Sequence, residues 1–310
     1  MITVGGFNTS IDKTLEEDEL CPGAVHRVRG VHSWPGGKGL HVALTVAALG
    51  EPVQLVGLID AAHRRQFEDV LGARGVEFQG VETSGSVRTC LAVRDQGGAR
   101  ITEILEPGPT LDAETRDELC ARFLTLARVS SLAVLSGSAP PGFGDGGYGE
   151  LVASLREAGI RCLVDASGGL LGGAVAARPF LIKPNRDEAE ALSGEAVDGP
   201  AAAARVALSF VARGVERVVL SLGAGGAVAA GAGRVAHAMV AVTGAAHPVG
   251  SGDCLLGGVA TGLARGAGME DVLRLGVACG AANTLTAETG WLRRADVEAL
   301  LPRVVTHWIA

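Results

Sequence analysis

Leu132-Ala133-Val134-Leu135, then Tyr148 to Ala158, then Cys162-Leu163-Val164: an uninterrupted aliphatic run, a stretch with apolar residues at helical spacing, and a second uninterrupted run. A strand that is apolar at every position is buried on both faces, and such strands belong to parallel sheets covered by crossover helices. The same alternation recurs on either side of this unit. Ile2 to Val4, Val53 to Val56, Phe180 to Ile182 and Val218 to Leu220 read as further buried strands. Leu40 to Leu49, Arg64 to Ala73, Ala113 to Leu126, Ala201 to Ala212 and Leu255 to Arg265 read as helices, most of them closing at a glycine. The pattern predicts one α/β domain over 1–310, with a doubly wound, mostly parallel sheet flanked by helices and joined by right-handed crossovers. Residues 13–33 and 86–105 break the rhythm. They lack helical period and carry strand-like residues such as Val25, Val31, Val87, Leu91, Val93 and Ile104, which predicts a small β-sheet lid projecting from the main sheet.

Composition bounds the function. A chain of 310 residues buries roughly three quarters of its unfolded surface and needs neither disulfide nor metal to hold a core. The 27 Lys and Arg against 34 Asp and Glu give a net charge of −7, which offers no basic footprint for nucleic acid. Cys21, Cys90, Cys120, Cys162, Cys254 and Cys279 are scattered without zinc-ligand spacing and read as small apolar residues in a reducing compartment. No basic segment followed by an apolar stretch opens the chain, and the longest uncharged stretch, Val235 to Gly252, contains two histidines, a proline and glycines. A cytoplasmic protein without a membrane partner is expected.

Ligands of an open α/β sheet sit at the carboxyl ends of strands, where glycine lets an anion approach helix amides. Pro248-Val249-Gly250-Ser251-Gly252-Asp253 precedes an apolar helical stretch. The amides of Gly250, Ser251 and Gly252 could converge on developing negative charge, with Asp253 beside them as a base for a hydroxyl proton. Asp253 could equally cap the helix or favour its dipole. Ser221-Leu222-Gly223-Ala224-Gly225-Gly226 reads first as a hairpin turn and second as a loop over a nucleotide. No G-x-x-x-x-G-K-[ST] occurs, and Gly142, Gly144 and Gly147 match a dinucleotide fingerprint only after Pro140-Pro141, where a tight strand-to-helix turn is required. Near the N-terminus, Asn8 to Lys13 is expected to end the first strand, and Trp34-Pro35-Gly36-Gly37-Lys38-Gly39-Leu40-His41 to open the first helix. A cation at a helix start opposes the dipole, so Lys38 wants an anion nearby.

Together these elements resemble the ribokinase-like (PfkB) carbohydrate kinases, from Ile2 to Gly290. Gly36-Gly37-Lys38-Gly39-Leu40-His41-Val42-Ala43 and Gly250-Ser251-Gly252-Asp253 match its two signatures. Thr102-Glu103-Ile104, Ser136 to Gly142, Asp165-Ala166-Ser167-Gly168 and Lys183-Pro184-Asn185-Arg186-Asp187-Glu188 resemble the 1-phosphofructokinase and tagatose-6-phosphate kinase branch. The resemblance implies ATP-dependent phosphorylation of a sugar phosphate, with Asp253 as base and Gly250, Ser251 and Gly252 holding the transferring group. Asn185 and Glu188 would organise Mg²⁺ through waters, unless they only form a capping box. Lys183, Ser221, Gly223, Gly225 and Gly226 would line the nucleotide phosphates, and Asn283 would lie near the adenine. Asp12, Gly36, Gly37 and His41 would face the sugar, while Lys38, Arg88 and Arg27 would form a phosphate pocket at the lid, through which a homodimer could assemble. Two departures stand out. His41 replaces the asparagine the family usually carries, and Leu58 to His63 replaces a glycine-rich turn. Two alternatives stay open, a kinase for an unphosphorylated sugar or nucleoside and a non-catalytic sugar-phosphate sensor.

Overall fold

The structure, a computed structural model, describes residues 1–95, 100–245 and 247–309. The first half of the chain forms β1 (Ile2–Gly5), β2 (Ser10–Glu16), β3 (Gly30–Gly36), α1 (Lys38–Ala48), β4 (Val53–Ile59), α2 (Arg64–Ala73), β5 (Val76–Glu82), β6 (Arg88–Asp95), β7 (Arg100–Leu105), α3 (Ala113–Ala127), β8 (Leu132–Ser136) and α4 (Gly147–Glu157). The second half forms β9 (Cys162–Asp165), α5 (Gly168–Ala176), β10 (Leu181–Ile182), α6 (Arg186–Ser193), α7 (Pro200–Ala212), β11 (Arg217–Ser221), β12 (Ala227–Gly231), β13 (Arg234–Met239), α8 (Ser251–Ala264), α9 (Met269–Asn283), α10 (Arg294–Leu300) and β14 (Val305–Ile309).

Ten strands form one sheet in the order β14-β13-β12-β11-β10-β9-β8-β1-β4-β5. From β5 to β11 all pairings are parallel, and β12, β13 and β14 add antiparallel strands at one edge. Successive side chains of a strand point to opposite faces, and β8 shows why an aliphatic run is wanted. Leu132 and Val134 join the core under α1, α8 and α9, while Ala133 and Leu135 join the core under α3, α4 and α7. β4, β9, β10, β11 and β12 divide their apolar residues between the same two cores, whereas Ile2 and Val4 of β1 both join the first. Burying one such leucine contributes about 1.5–3 kcal/mol, and either parity meets a dry face. The sheet is therefore doubly wound, as the alternation predicts.

The lid is a separate four-stranded sheet in the order β3-β2-β6-β7. It starts earlier than expected. β1 stops at Gly5, and Ser10 to Glu16 pairs with β3 and β6, so Asp12 is a lid residue and not the end of the first strand. Residues 96–99 of the expected lid lie outside the described residues. Among the described residues no helix is long and apolar enough to cross a membrane, and the uncharged stretch from Val235 supplies β13 and the loop that leads to α8.

Candidate active site

A cleft of about 1400 Å³ opens between the carboxyl ends of the parallel strands and the lid. Its floor is the start of α8. Gly250 is the N-cap of that helix at φ +84, and Gly290 lies so close that a Cβ on Gly250 would sit 2.4 Å from the Gly290 nitrogen. Only glycine fits a left-handed backbone under that approach. Among the described residues, the amides of Gly250 and Gly252 have no backbone acceptor, whereas Ser251 spends its amide on the Pro248 carbonyl at 3.0 Å. Two amides at a helix N-terminus, not the expected three, are therefore free for an anion. Asp253 sits in the first turn but does not cap it. Its carboxylate turns away from the helix start, with Oδ2 2.9 Å from His41 Nδ1.

That contact belongs to a chain of alternating charges across the cleft. Asp12 Oδ2 lies 3.4 Å from His41 Nε2, and Asp253 Oδ1 lies 4.0 Å from Lys38 Nζ. The Lys38 ammonium also lies 3.6 Å from Asp165 Oδ1, and Asp165 Oδ2 is 3.3 Å from Lys183 Nζ. Lys38 is the first residue of α1, and these two carboxylates resolve its conflict with the helix dipole. The charge of Asp165 above all, reinforced by that of Asp253 against burial, raises the Lys38 pKa. Burial pulls the His41 pKa down, but hydrogen bonds to Asp12 and Asp253 outweigh it and hold it at about 10. Burial likewise opposes the charge of Asp12, and the hydrogen bond to His41 overcomes it and lowers that pKa. The close approach of Gly36 makes room for Asp12, since a Cβ there would stand 2.1 Å from the carboxyl carbon.

Residues 2–291 match the model of the pfkB family carbohydrate kinases. The chain belongs to that family. It is 33% identical over 261 residues to a 1-phosphofructokinase of Xanthomonas campestris, covering 83% of this chain and 82% of the relative. It is 29% identical over 307 residues to a tagatose-6-phosphate kinase of Staphylococcus epidermidis, covering 98% of both. The crystal structure of phosphofructokinase-2 from Escherichia coli in complex with substrates and products superposes with a TM-score of 0.91 at 27% identity, covering 97% of this chain and 98% of the other.

For a pfkB carbohydrate kinase, the cleft collects most of the residues expected from sequence. Asp12, Gly37, Lys38, His41 and Arg88 line the lid side. Gly250, Ser251, Gly252 and Asp253 line the floor. Lys183, Asn185, Glu188, Ser221, Gly223 and Gly226 line the opposite wall. The turn at Gly223–Gly225 joins antiparallel β11 and β12, so the hairpin reading holds and the same hairpin walls the cleft. Asn185 and Glu188 form a full capping box on α6, Asn185 Oδ1 accepting from the Glu188 amide and Glu188 Oε2 from the Asn185 amide, each at 2.9 Å.

Five placements differ from expectation. Asn283 is wholly buried below the floor, where its Nδ2 donates to the Val249 carbonyl at 2.8 Å and to Ser251 Oγ at 3.1 Å. It shapes the anion loop and does not line the cleft. Gly225 is turned away, its carbonyl accepting from His237 at 2.7 Å. Gly36 backs Asp12 and leaves the cleft wall to it. Arg27 is exposed in the β2–β3 loop and does not reach the cleft. Lys38 and Arg88 serve different partners: Lys38 is committed to Asp165 and Asp253, while Arg88 donates to the Asn8 and Glu106 carbonyls at 3.2 and 3.3 Å.

Two residues of the site had no role assigned from sequence, Asp165, which is buried and does not line the cleft, and Glu103, which does. Asp165 ends β9 completely buried between two ammonium groups. Glu103 lies on β7 opposite Ala92 and Thr14, on the same face of the lid as Asp12. Burial first, then the charges of Asp12 and Asp253, raise its pKa. Both fall inside motifs that carry the family resemblance, but no local spacing marks either for the site.

Proposed function

We propose that the protein transfers a phosphoryl group from ATP to a hydroxyl of a sugar that already carries a phosphate, a 1-phosphofructokinase- or tagatose-6-phosphate kinase-like reaction. One observation carries the reading: the buried carboxylate of Asp253 does not cap its helix and faces the cleft beside the free amides of Gly250 and Gly252. Asp253 Oδ1 takes the proton of the acceptor hydroxyl, a role worth about 10²–10⁴ in rate. The two amides and the Lys38 ammonium meet the charge that develops on the transferring group, each amide contributing about 3–4 kcal/mol. Asp12 orients the sugar.

Arg88 favours a phosphorylated acceptor. Its guanidinium has no carboxylate partner among the described residues and lines the cleft on the lid side, a fork suited to phosphate. Lys183, Ser221, Gly223 and Gly226 would face the nucleotide phosphates. Glu188 suits Mg²⁺: burial above all, with the charge of Asp165, pushes its carboxyl above the ordinary glutamate value, which a cation would relieve. Among the described residues no cluster of three or more His, Cys, Asp or Glu could hold a metal, so Asn185 and Glu188 would act through water with most ligands coming from phosphate oxygens. The ion would neutralise phosphate charge. The outer face of the lid leaves Val31 and Ile104 more than half exposed, at 57% and 55%, and a second copy docking there would make a homodimer, which sedimentation can test.

The decisive experiment is a coupled kinase assay across hexose phosphates, free hexoses and nucleosides with MgATP, repeated with Asp253→Asn. We expect turnover of a hexose phosphate and a loss of at least about 10² in kcat for the variant, with ATP binding retained. Preference for an unphosphorylated acceptor would install the runner-up kinase. Most of kcat surviving in Asp253→Asn would remove the base assignment.

A further inference from the structure

The imidazole of His41 lies between two carboxylates, hydrogen-bonded to Asp253 and in ion-pair contact with Asp12. Nδ1 lies 2.9 Å from Asp253 Oδ2 and Nε2 lies 3.4 Å from Asp12 Oδ2, so the ring joins α1 to α8 and to lid strand β2. Ionised carboxylates only accept hydrogen bonds. A neutral imidazole has one N–H and would turn a lone pair towards one of the two carboxylates; the doubly protonated ring donates to both. The side chain is also fixed in place. His41 is buried, and Gly290, at φ +65, lies against the ring so closely that a Cβ there would stand 2.0 Å from the imidazole Cγ. Gly290 in turn packs on Gly250, so the loop that seats the ring also braces the anion-binding turn. Asp12 Oδ1 accepts from Ser10 Oγ at 2.6 Å. With each ring nitrogen facing a carboxylate and the ring held against Gly290, His41 is placed to serve the two carboxylates rather than a sugar hydroxyl.

We propose that His41 is a positioning residue: as an imidazolium it clamps Oδ2 of Asp253 and Oδ2 of Asp12 at a fixed separation, leaves Oδ1 of Asp253 to face the acceptor hydroxyl, and takes no part in reading the sugar. The inference rests on the assignment of Asp253 as base. Along the chain of charges, His41, Lys38 and Lys183 then match Asp12, Asp253 and Asp165 one for one. The pKa of about 10 held by the two hydrogen bonds agrees with this.

Two measurements test it. In the substrate-free full chain labelled with ¹⁵N-histidine, the resonances lost in His41→Asn should show both ring nitrogens protonated, without titration between about pH 6 and 8.5; a neutral tautomer at neutral pH would overturn the clamp. This readout needs no substrate, so it decides the ring's state even if the sugar-phosphate reading fails. In steady-state assays, His41→Asn and His41→Gln should lower kcat by about tenfold or more, while KM for ATP stays within about threefold, since a misaimed base costs rate and not nucleotide affinity. A rise in KM with kcat retained would place the ring in sugar recognition and refute the proposal. If one variant does not fold, the other and the nitrogen spectrum of the unsubstituted chain still give the answer.

Discussion

Asp165→Asn breaks the chain of charges at its most buried point. The carboxylate is fully buried at the end of β9, and its oxygens accept no hydrogen bond among the described residues beyond the approach of two ammonium groups. Asparagine has nearly the same shape, so packing survives and the perturbation is electrostatic. Lys183 is 2% exposed, and leaving one partner of a buried pair without its counter-charge costs about 3–5 kcal/mol. Lys38 adds little, because 43% of its side chain is exposed and it keeps Asp253 nearby. We therefore expect a loss near the bottom of the range, about 3 kcal/mol. In a chain of this size that lowers Tm by roughly 5 °C. Thermal unfolding with and without ATP reads both halves of the reasoning. ATP phosphates supply anions to the freed ammonium groups, so the nucleotide should raise Tm further in the variant than in the unsubstituted protein. An unchanged Tm would show that Asp165 does not offset the burial of Lys183. Equal nucleotide shifts in the two proteins would show that the lysines do not face the phosphates.

Arg88→Ala should raise KM for a hexose phosphate about tenfold or more, the equivalent of a charged hydrogen bond at about 1.5–3 kcal/mol, and leave KM for ATP alone; equal loss on a free hexose would detach Arg88 from the phosphate. Glu188→Gln should raise the Mg²⁺ concentration needed for half-maximal rate while leaving Tm unchanged, because glutamine completes a capping box as glutamate does. An unaltered Mg²⁺ titration would leave Glu188 with its capping role alone.

Six of the parallel strands were legible as short aliphatic runs, as a core on both faces requires, whereas β5, an edge strand carrying Glu77, Gln79 and Glu82, was not. Elements with weaker local signals escaped. α5 contains Gly168, Gly169, Gly172 and Gly173, a poor helix by propensity, yet it packs so tightly on α4 that a Cβ at Gly149 would stand 2.8 Å from the Gly173 carbonyl. Tertiary packing selects glycine there and overrides propensity. α9 (Met269–Asn283) is apolar on several sides because it is buried against α8, so it shows no clear amphipathic period. β12 is small and apolar at every position and reads as a run without a partner until β13 and β14 continue the sheet beside it.

The site divides along the same physical line. What glycine and helix starts dictate locally could be read: Gly250 to Gly252 open a helix with amides to offer an anion, and the Asn185 to Glu188 spacing makes a capping box. What depends on a partner far along the chain could not. Lys38 was legible as a cation in the wrong place on a dipole, but the anions that satisfy it are Asp165 and Asp253, more than a hundred residues away. Asn283 looks like any polar residue near a helix end, and only the packing of α9 under the 249–251 loop shows that its amide holds the anion-binding turn. His41 shows the difference most sharply, because as an isolated residue it offers one donor and one acceptor to a sugar. In the fold both of its ring nitrogens face carboxylates, Asp12 and Asp253, and the ring rests against the bare backbone of Gly290. The role of a side chain in this cleft is thus decided by which acceptors the doubly wound sheet and its lid bring to it, and a substitution that looks like altered recognition in the sequence becomes a clamp on the base in the fold.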